Sequence, residues 1–142
     1  MTVAEMIRSH PDLALDPDAL VACVQTAQDA ASACTACADA CLAEDDVAGL
    51  RTCIRRDLDC ADLAGTTASV LARQVAQDPG LVRVVLEACT VAAKRCAAEC
   101  ELHAEVHEHC RLCAETCRRL EAASRTLLET LRDDGVPQPE ER

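Results

Sequence analysis

The chain has 142 residues, half of them apolar, with no Phe, Tyr or Trp, 12 cysteines and a formal net charge of −11. That length fits a single domain, 1–142, with a modest core, and the acidity excludes nucleic acid and anionic membrane surfaces, both of which need basic partners. A core restricted to Ala, Leu, Val, Ile and Cys suits closely approaching helices, because sheets favour aromatic and β-branched side chains.

In chain order, Thr2-x-x-Glu5 is a capping box that predicts a short helix over about 3–9, ended by His10-Pro11. Asp16-Pro17, an N-cap followed by proline, opens a long helix to about Ala43. Glu44-Asp45-Asp46 reads as a turn that caps a second helix reaching about Gln77, and Asp78-Pro79 opens a third. From there to Asp134 nothing stops the helical pattern. One helix of about 50 residues would far exceed the usual length, so the chain is expected to fold back in the polar segment AEVHEH, Ala104 to His109. Gly135 and Pro137 end the fourth helix, and 135–142 reads as a flexible tail. The expected fold is all-α: an antiparallel up-down-up-down four-helix bundle over 16–134, with the short N-terminal helix and a thiol-lined core. The N-terminus lacks an export signal and no apolar run could span a bilayer, so a cytosolic location is expected. That compartment is reducing and favours thiols over disulfides.

The cysteines stand at 23, 34, 37, 41, 53, 60, 89, 96, 100, 110, 113 and 117. Within each expected helix the gaps are mostly 3, 4 or 7, which puts the thiols on one face. Leu20, Cys23, Ala27, Ala30, Cys34, Cys37 and Cys41 form one such stripe; Cys110, Cys113, Cys117, Leu120, Ser124, Leu127 and Leu131 form another. One or two such cysteines would be ordinary core residues. Twelve would not be, since Ala or Val fills the same space without redox liability. Disulfides fit poorly: cysteines seven apart on a helix are separated by roughly 10 Å, beyond the bridging limit, and bridges between helices are opposed by the reducing compartment. Redox-sensor thiols are exposed, whereas these face the core.

Measured from the end that carries the first and third turns, eleven thiols fall within roughly 25 Å and Cys23 lies deeper, at roughly 30 Å. Its expected neighbours are Thr67, Val85 and Leu127, none of them a thiol. The remaining far half reads Val70, Leu71, Val75, Val82, Val85, Leu127, Leu128 and Leu131. The bundle thus divides into a thiol half and a hydrocarbon half.

Zinc sites close at four ligands on compact knuckles, which leaves most of these thiols unused. Iron–sulfur clusters need other spacings. A tube of thiols suits Cu(I), which takes two or three thiolates and prefers sulfur. With bridging thiolates its capacity would be about one ion per cysteine, on the order of ten. His103 and His107, at i and i+4, continue the line of Cys96 and Cys100 and are read as an entrance; His109, beside Cys110, is a weaker candidate. Two alternatives remain: a buffer or detoxification protein for zinc or another soft metal, and a structural or thiol-redox bundle. No nucleophile–base pair or carboxylate dyad points to an enzyme.

The run Cys96-AAE-Cys100-EL-His103-AEV-His107-EH-Cys110-RL-Cys113-AET-Cys117 resembles the signature of the four-helix-bundle copper storage proteins, cytosolic branch, and the likeness extends from about Asp16 to Asp134. The resemblance implies storage of many Cu(I) ions on the twelve cysteines, entry at the His-bearing end, and assembly as a homotetramer. Copper would arrive from a chaperone or a small thiol. Where members of that family often continue with a further cysteine, this chain has Leu120 and then Ser124, which implies a smaller capacity.

Overall fold

Local capping chemistry sets where the helices begin. In the computed structural model, which describes residues 2–133, Thr2 accepts the amide of Glu5 and starts helix α1 (Val3–Arg8). Asp16 accepts the amide of Ala19 at 2.9 Å and Pro17 occupies the first helical position of α2 (Pro17–Leu42). Asp78 caps α4 (Pro79–Glu101) in the same manner through the amides of Gly80 and Leu81. Helices α3 (Arg51–Ala72) and α5 (Glu108–Asp133) complete the set. No strand occurs among the described residues. The ends expected for the fourth helix and the tail lie outside them.

Helix α2 packs on α3, α3 on α4, α4 on α5, and α5 back on α2. Consecutive helices therefore close a ring in which each runs against its neighbours, the up-down-up-down four-helix bundle expected from the sequence. The fold-back needed between α4 and α5 is present as a turn over 102–107, two residues earlier than the polar segment suggested. Leu102 N donates to Glu99 O at 3.1 Å, His103 N to Cys100 O at 3.0 Å and Ala104 N to Glu101 O at 3.4 Å, so the turn satisfies the last carbonyls of α4 without a glycine.

Two connections differ from the sequence expectation. The acids Glu44, Asp45 and Asp46 do not cap α3. Asp46 precedes a 3-10 turn (Val47–Leu50) and makes no side-chain cap, and α3 starts only at Arg51. The second connection comes early. Helix α3 ends at Ala72 rather than near Gln77, and Ala76 takes a positive φ of 55° in the loop. Gln74 is the physical reason for the early stop. It is buried, its amide nitrogen donates to Leu71 O at 2.7 Å, and its carbonyl accepts from Ala14 N at 2.8 Å. The side chain thus ties the end of α3 to the segment before α2. As a result Val75, expected in the core, is 80% exposed.

The rest of the far half is filled by Leu20, Val24, Leu71, Val82, Leu86, Leu127, Leu128 and Leu131, all buried, with Ile7 of α1 packed against the same core. Val70 packs against it while only partly buried, and Val85 is partly exposed. Both stripes read from the sequence face inward without exception.

Candidate metal centre

All twelve cysteines are free and buried. Each of the four long helices contributes some, and the helical spacing turns them toward one axis. Across that axis the sulfurs approach one another: Cys34 to Cys117 at 3.5 Å, Cys53 to Cys100 at 3.6 Å, Cys34 to Cys113 at 3.7 Å, Cys34 to Cys96 at 3.8 Å, and Cys37 to Cys110 and Cys60 to Cys117 at 4.0 Å. Overlapping sets of possible ligand atoms follow along the lumen, three of which mark its length. Cys37, Cys41, His109 and Cys110 lie nearest the turns. Asp57 sits among Cys37, Cys100 and Cys113. Deeper in are Cys34, Cys60, Cys96 and Cys117.

Without an ion the lumen is a network of weak S–H donors, and burial resists ionisation. It pushes Cys23 up to about 12, and it raises Cys110 above the ordinary thiol range. Cys53, Cys60 and Cys113 are held on the opposite side, chiefly by hydrogen bonds from Cys100, Cys117 and Cys100 respectively. A soft cation resolves this frustration, because each thiol that binds it releases its proton.

Asp57 was not foreseen. It is fully buried, and its Oδ1 accepts from Cys96 at 3.1 Å, Cys113 at 3.3 Å and Cys100 at 3.5 Å. Burial first, and the charge of Cys113 second, raise its carboxyl to about 8. Its Oδ2 has no hydrogen-bond partner among the described residues. The signal was available: Cys53, Asp57 and Cys60 stand at i, i+4 and i+7 on one face of α3.

The histidines separate into different environments. His109, the weaker candidate, is the one that touches the thiols. Its Nδ1 lies 3.4 Å from Cys37 Sγ, 3.6 Å from Cys110 Sγ and 4.0 Å from Cys41 Sγ. His107 stacks on it, with ring centroids 5.3 Å apart. His103 sits against Glu99, Nε2 to Oε2 3.2 Å, in the turn beyond α4. Glu44 Oε2 lies 2.9 Å from both His107 Nδ1 and His109 Nε2, and Asp46 Oδ1 lies 3.5 Å from His107 Nε2. The acids assigned to capping therefore serve the histidines instead.

Cys23 has two neighbours beyond those expected. Its sulfur lies 3.8 Å from Ser124 Oγ, which is in turn 4.0 Å from Cys89 Sγ. It shares a layer with a thiol, joined through a hydroxyl.

A four-helix bundle whose axis is filled by buried, unpaired thiols defines a class of protein that holds soft metal ions in its interior. The family pattern described as Csp, copper storage protein, matches residues 16–129, and the chain belongs to that family. Among solved structures, it is similar to the copper storage protein Ccsp of Streptomyces lividans loaded with 10 copper equivalents. That likeness has 46% identity and a TM-score of 0.88, and covers 91% of this chain and 99% of that one. Another structure of the cytosolic protein from Streptomyces lividans, with five coppers, shares 49% identity with a TM-score of 0.78, covering 79% and 93% of the two chains. An uncharacterized cysteine-rich protein of Bacillus subtilis, YhjQ, is 30% identical over 108 residues, which span 71% of this chain and 94% of that protein.

Proposed function

We propose that this chain stores multiple Cu(I) ions in the cytosol on Cys34, Cys37, Cys41, Cys53, Cys60, Cys89, Cys96, Cys100, Cys110, Cys113 and Cys117, with Cys23 at the deep end, and that it acts by binding alone, without catalysis. The observation that carries this reading is the set of sulfurs from different helices 3.5 to 4.0 Å apart along one axis. That spacing lets one ion bridge two thiolates and one thiolate bridge two ions. Copper from a chaperone or a small thiol enters past His103, His107 and His109 and moves inward by thiolate exchange. Anaerobic titration of the reduced protein with Cu(I) against a competing chelator tests it. Uptake on the order of ten ions is expected; saturation at one or two would overturn it, and preferential retention of zinc would favour a zinc buffer.

Copies of the chain are further proposed to assemble as a homotetramer. The groove between α3 and α4 supports a second copy as its occupant. Leu63, Val84 and Val91 are exposed there. Arg56 and Arg95 lie toward the turn end of this groove, Asp59 and Asp62 follow Arg56 along α3, and Glu87 lies toward the other end. A copy laid antiparallel would bring Arg95 of each chain toward Glu87 of the other. Light scattering on the native chain and on Val91→Glu checks this: a monomeric native chain, or an unaltered mass for the variant, would reject the face.

A further inference from the structure

The outermost thiol set contains an imidazole whose state matters. A neutral histidine offers one lone pair, and which nitrogen offers it depends on where the proton sits. His109 faces two ways. Nδ1 looks into the lumen at Cys37, Cys110 and Cys41, while Nε2 is hydrogen-bonded to Glu44 Oε2 at 2.9 Å. A carboxylate oxygen only accepts. The nitrogen beside it must carry the proton, so Nδ1 is left with its lone pair aimed at the thiols. The opposite tautomer would set a lone pair against the carboxylate at the same distance.

We propose that Glu44 is a positioning residue for metal entry: it fixes the ring of His109 and keeps its proton on Nε2, so that Nδ1 is a ready ligand for an ion arriving at Cys37, Cys41 and Cys110. Several observations converge on Glu44. It stands just after α2 in a turn where it caps no helix, so local structure does not explain its side chain. The same oxygen lies 2.9 Å from His107 Nδ1, and His107 is stacked on His109, so one carboxylate oxygen bridges the edges of the two rings. The side chain of His107 is only 10% exposed; its nearer carboxylate contact is Glu44 at Nδ1, 2.9 Å, against Asp46 at 3.5 Å from Nε2, where no hydrogen bond forms among the described residues. Carboxylate–imidazole pairs of this kind orient ligands in metal sites generally, and losing the outer partner typically costs about 10- to 100-fold. The arrangement also explains how a mouth of such acidity can hand over a soft ion. Glu44 Oε2 accepts the ring N–H of His109, which leaves His109 Nδ1 and the sulfurs of Cys37, Cys41 and Cys110 as the donors facing the lumen.

The inference rests on the copper-entry reading above, but its first test needs no metal. Nitrogen-15 NMR of the reduced, metal-free chain with labelled histidine is expected to show His109 as a single Nε2–H tautomer with a slowly exchanging ring proton. In Glu44→Ala that protected proton should vanish and the ring signals should broaden or mix, while Glu44→Gln, whose carbonyl can still accept, should restore them. Stopped-flow loading from a Cu(I)–chelator donor should then be about tenfold slower in Glu44→Ala and recover most of its rate in Glu44→Gln. The loss should fall on the rate and not on the number of ions held at saturation. An Nδ1–H tautomer in the native chain overturns the proposal. So does an unchanged His109 signature in Glu44→Ala, or equal slowing by the Ala and Gln variants, which would trace the effect to charge. If no variant takes up copper at all, the storage reading fails while the NMR result stands on its own.

Discussion

The two halves of the bundle are built on the same helices but answer different demands. In the half away from the turns, Leu20, Val24, Leu71, Leu86 and Leu127 are fully or almost fully buried and their contacts are dispersion and hydrophobic burial. In the half near the turns, equally buried positions carry thiols and one carboxyl. Hydrophobic burial gained there is partly offset by protons that have no good acceptor. The difference teaches that the protein separates holding its shape from holding its cargo. The hydrocarbon half can keep four helices together while the thiol half is empty.

The largest effects should come from testing that division on the metal-free chain. Leu86→Ala is expected to cost about 2–5 kcal/mol in chemical denaturation, the usual range for a fully buried leucine. Cys60→Ala removes a single sulfur and should cost about 1 kcal/mol. Equal losses would break the comparison. With copper bound the order should narrow, because ligation stabilises the folded state through the thiols.

The next effect is a pH dependence confined to the thiol half. The carboxyl of Asp57 is raised from 3.8 to about 8 in the folded chain. The folded state therefore holds a proton that the unfolded state gives up. The stabilising contribution is complete below the unfolded value and is lost progressively as pH rises through the folded one. The metal-free protein should lose stability between about pH 4 and pH 8, by an amount on the order of a few kcal/mol. Asp57→Asn should flatten that slope. An unchanged slope in the variant would place the titration elsewhere.

Much of this contrast is legible in the order of the residues. Helical spacing puts every cysteine on an inward face, and Asp-Pro pairs fix the starts of α2 and α4, because both signals act through local geometry. What escapes such a reading depends on partners distant in sequence. Gln74 ends α3 by reaching the segment at Ala14, sixty residues away, so the periodicity of α3 gives no warning that Val75 is exposed. The acids after α2 look like caps because their position in the chain does not show that the turn with His107 and His109 comes to meet them. Asp57 is hidden by its residue type: a carboxyl inside a thiol stripe contradicts the usual cost of burying charge unless it keeps its proton.

Smaller effects should distinguish the histidines at the mouth. His109 touches three thiols, whereas His103 pairs with Glu99 in the turn. Alanine at His109 should slow loading about tenfold and alter the first copper–thiolate absorption band. Alanine at His103 and His107 together should slow loading with final capacity nearly unchanged. Stopped-flow absorption reads all of these well, since the chain has no Trp or Tyr to obscure them. A large loss of capacity in the His103/His107 variant would contradict their role as an entrance.

The smallest effect marks where the two halves meet. Cys23 and Cys89 share a layer, but the group between them is the hydroxyl of Ser124, 3.8 and 4.0 Å away. A hydroxyl is a hard donor and adds little for Cu(I), which prefers sulfur. Removing Cys23 should therefore barely change the copper held at saturation. Ser124→Cys would turn the same layer into three soft donors within bridging distance, and should raise capacity by about one ion. If Ser124→Cys leaves capacity unchanged while Cys23→Ala lowers it, Cys23 already acts as a full ligand and the thiol half extends one layer deeper. If neither substitution matters, the store ends at Cys60 and Cys117, and Cys23 belongs with the leucines as packing.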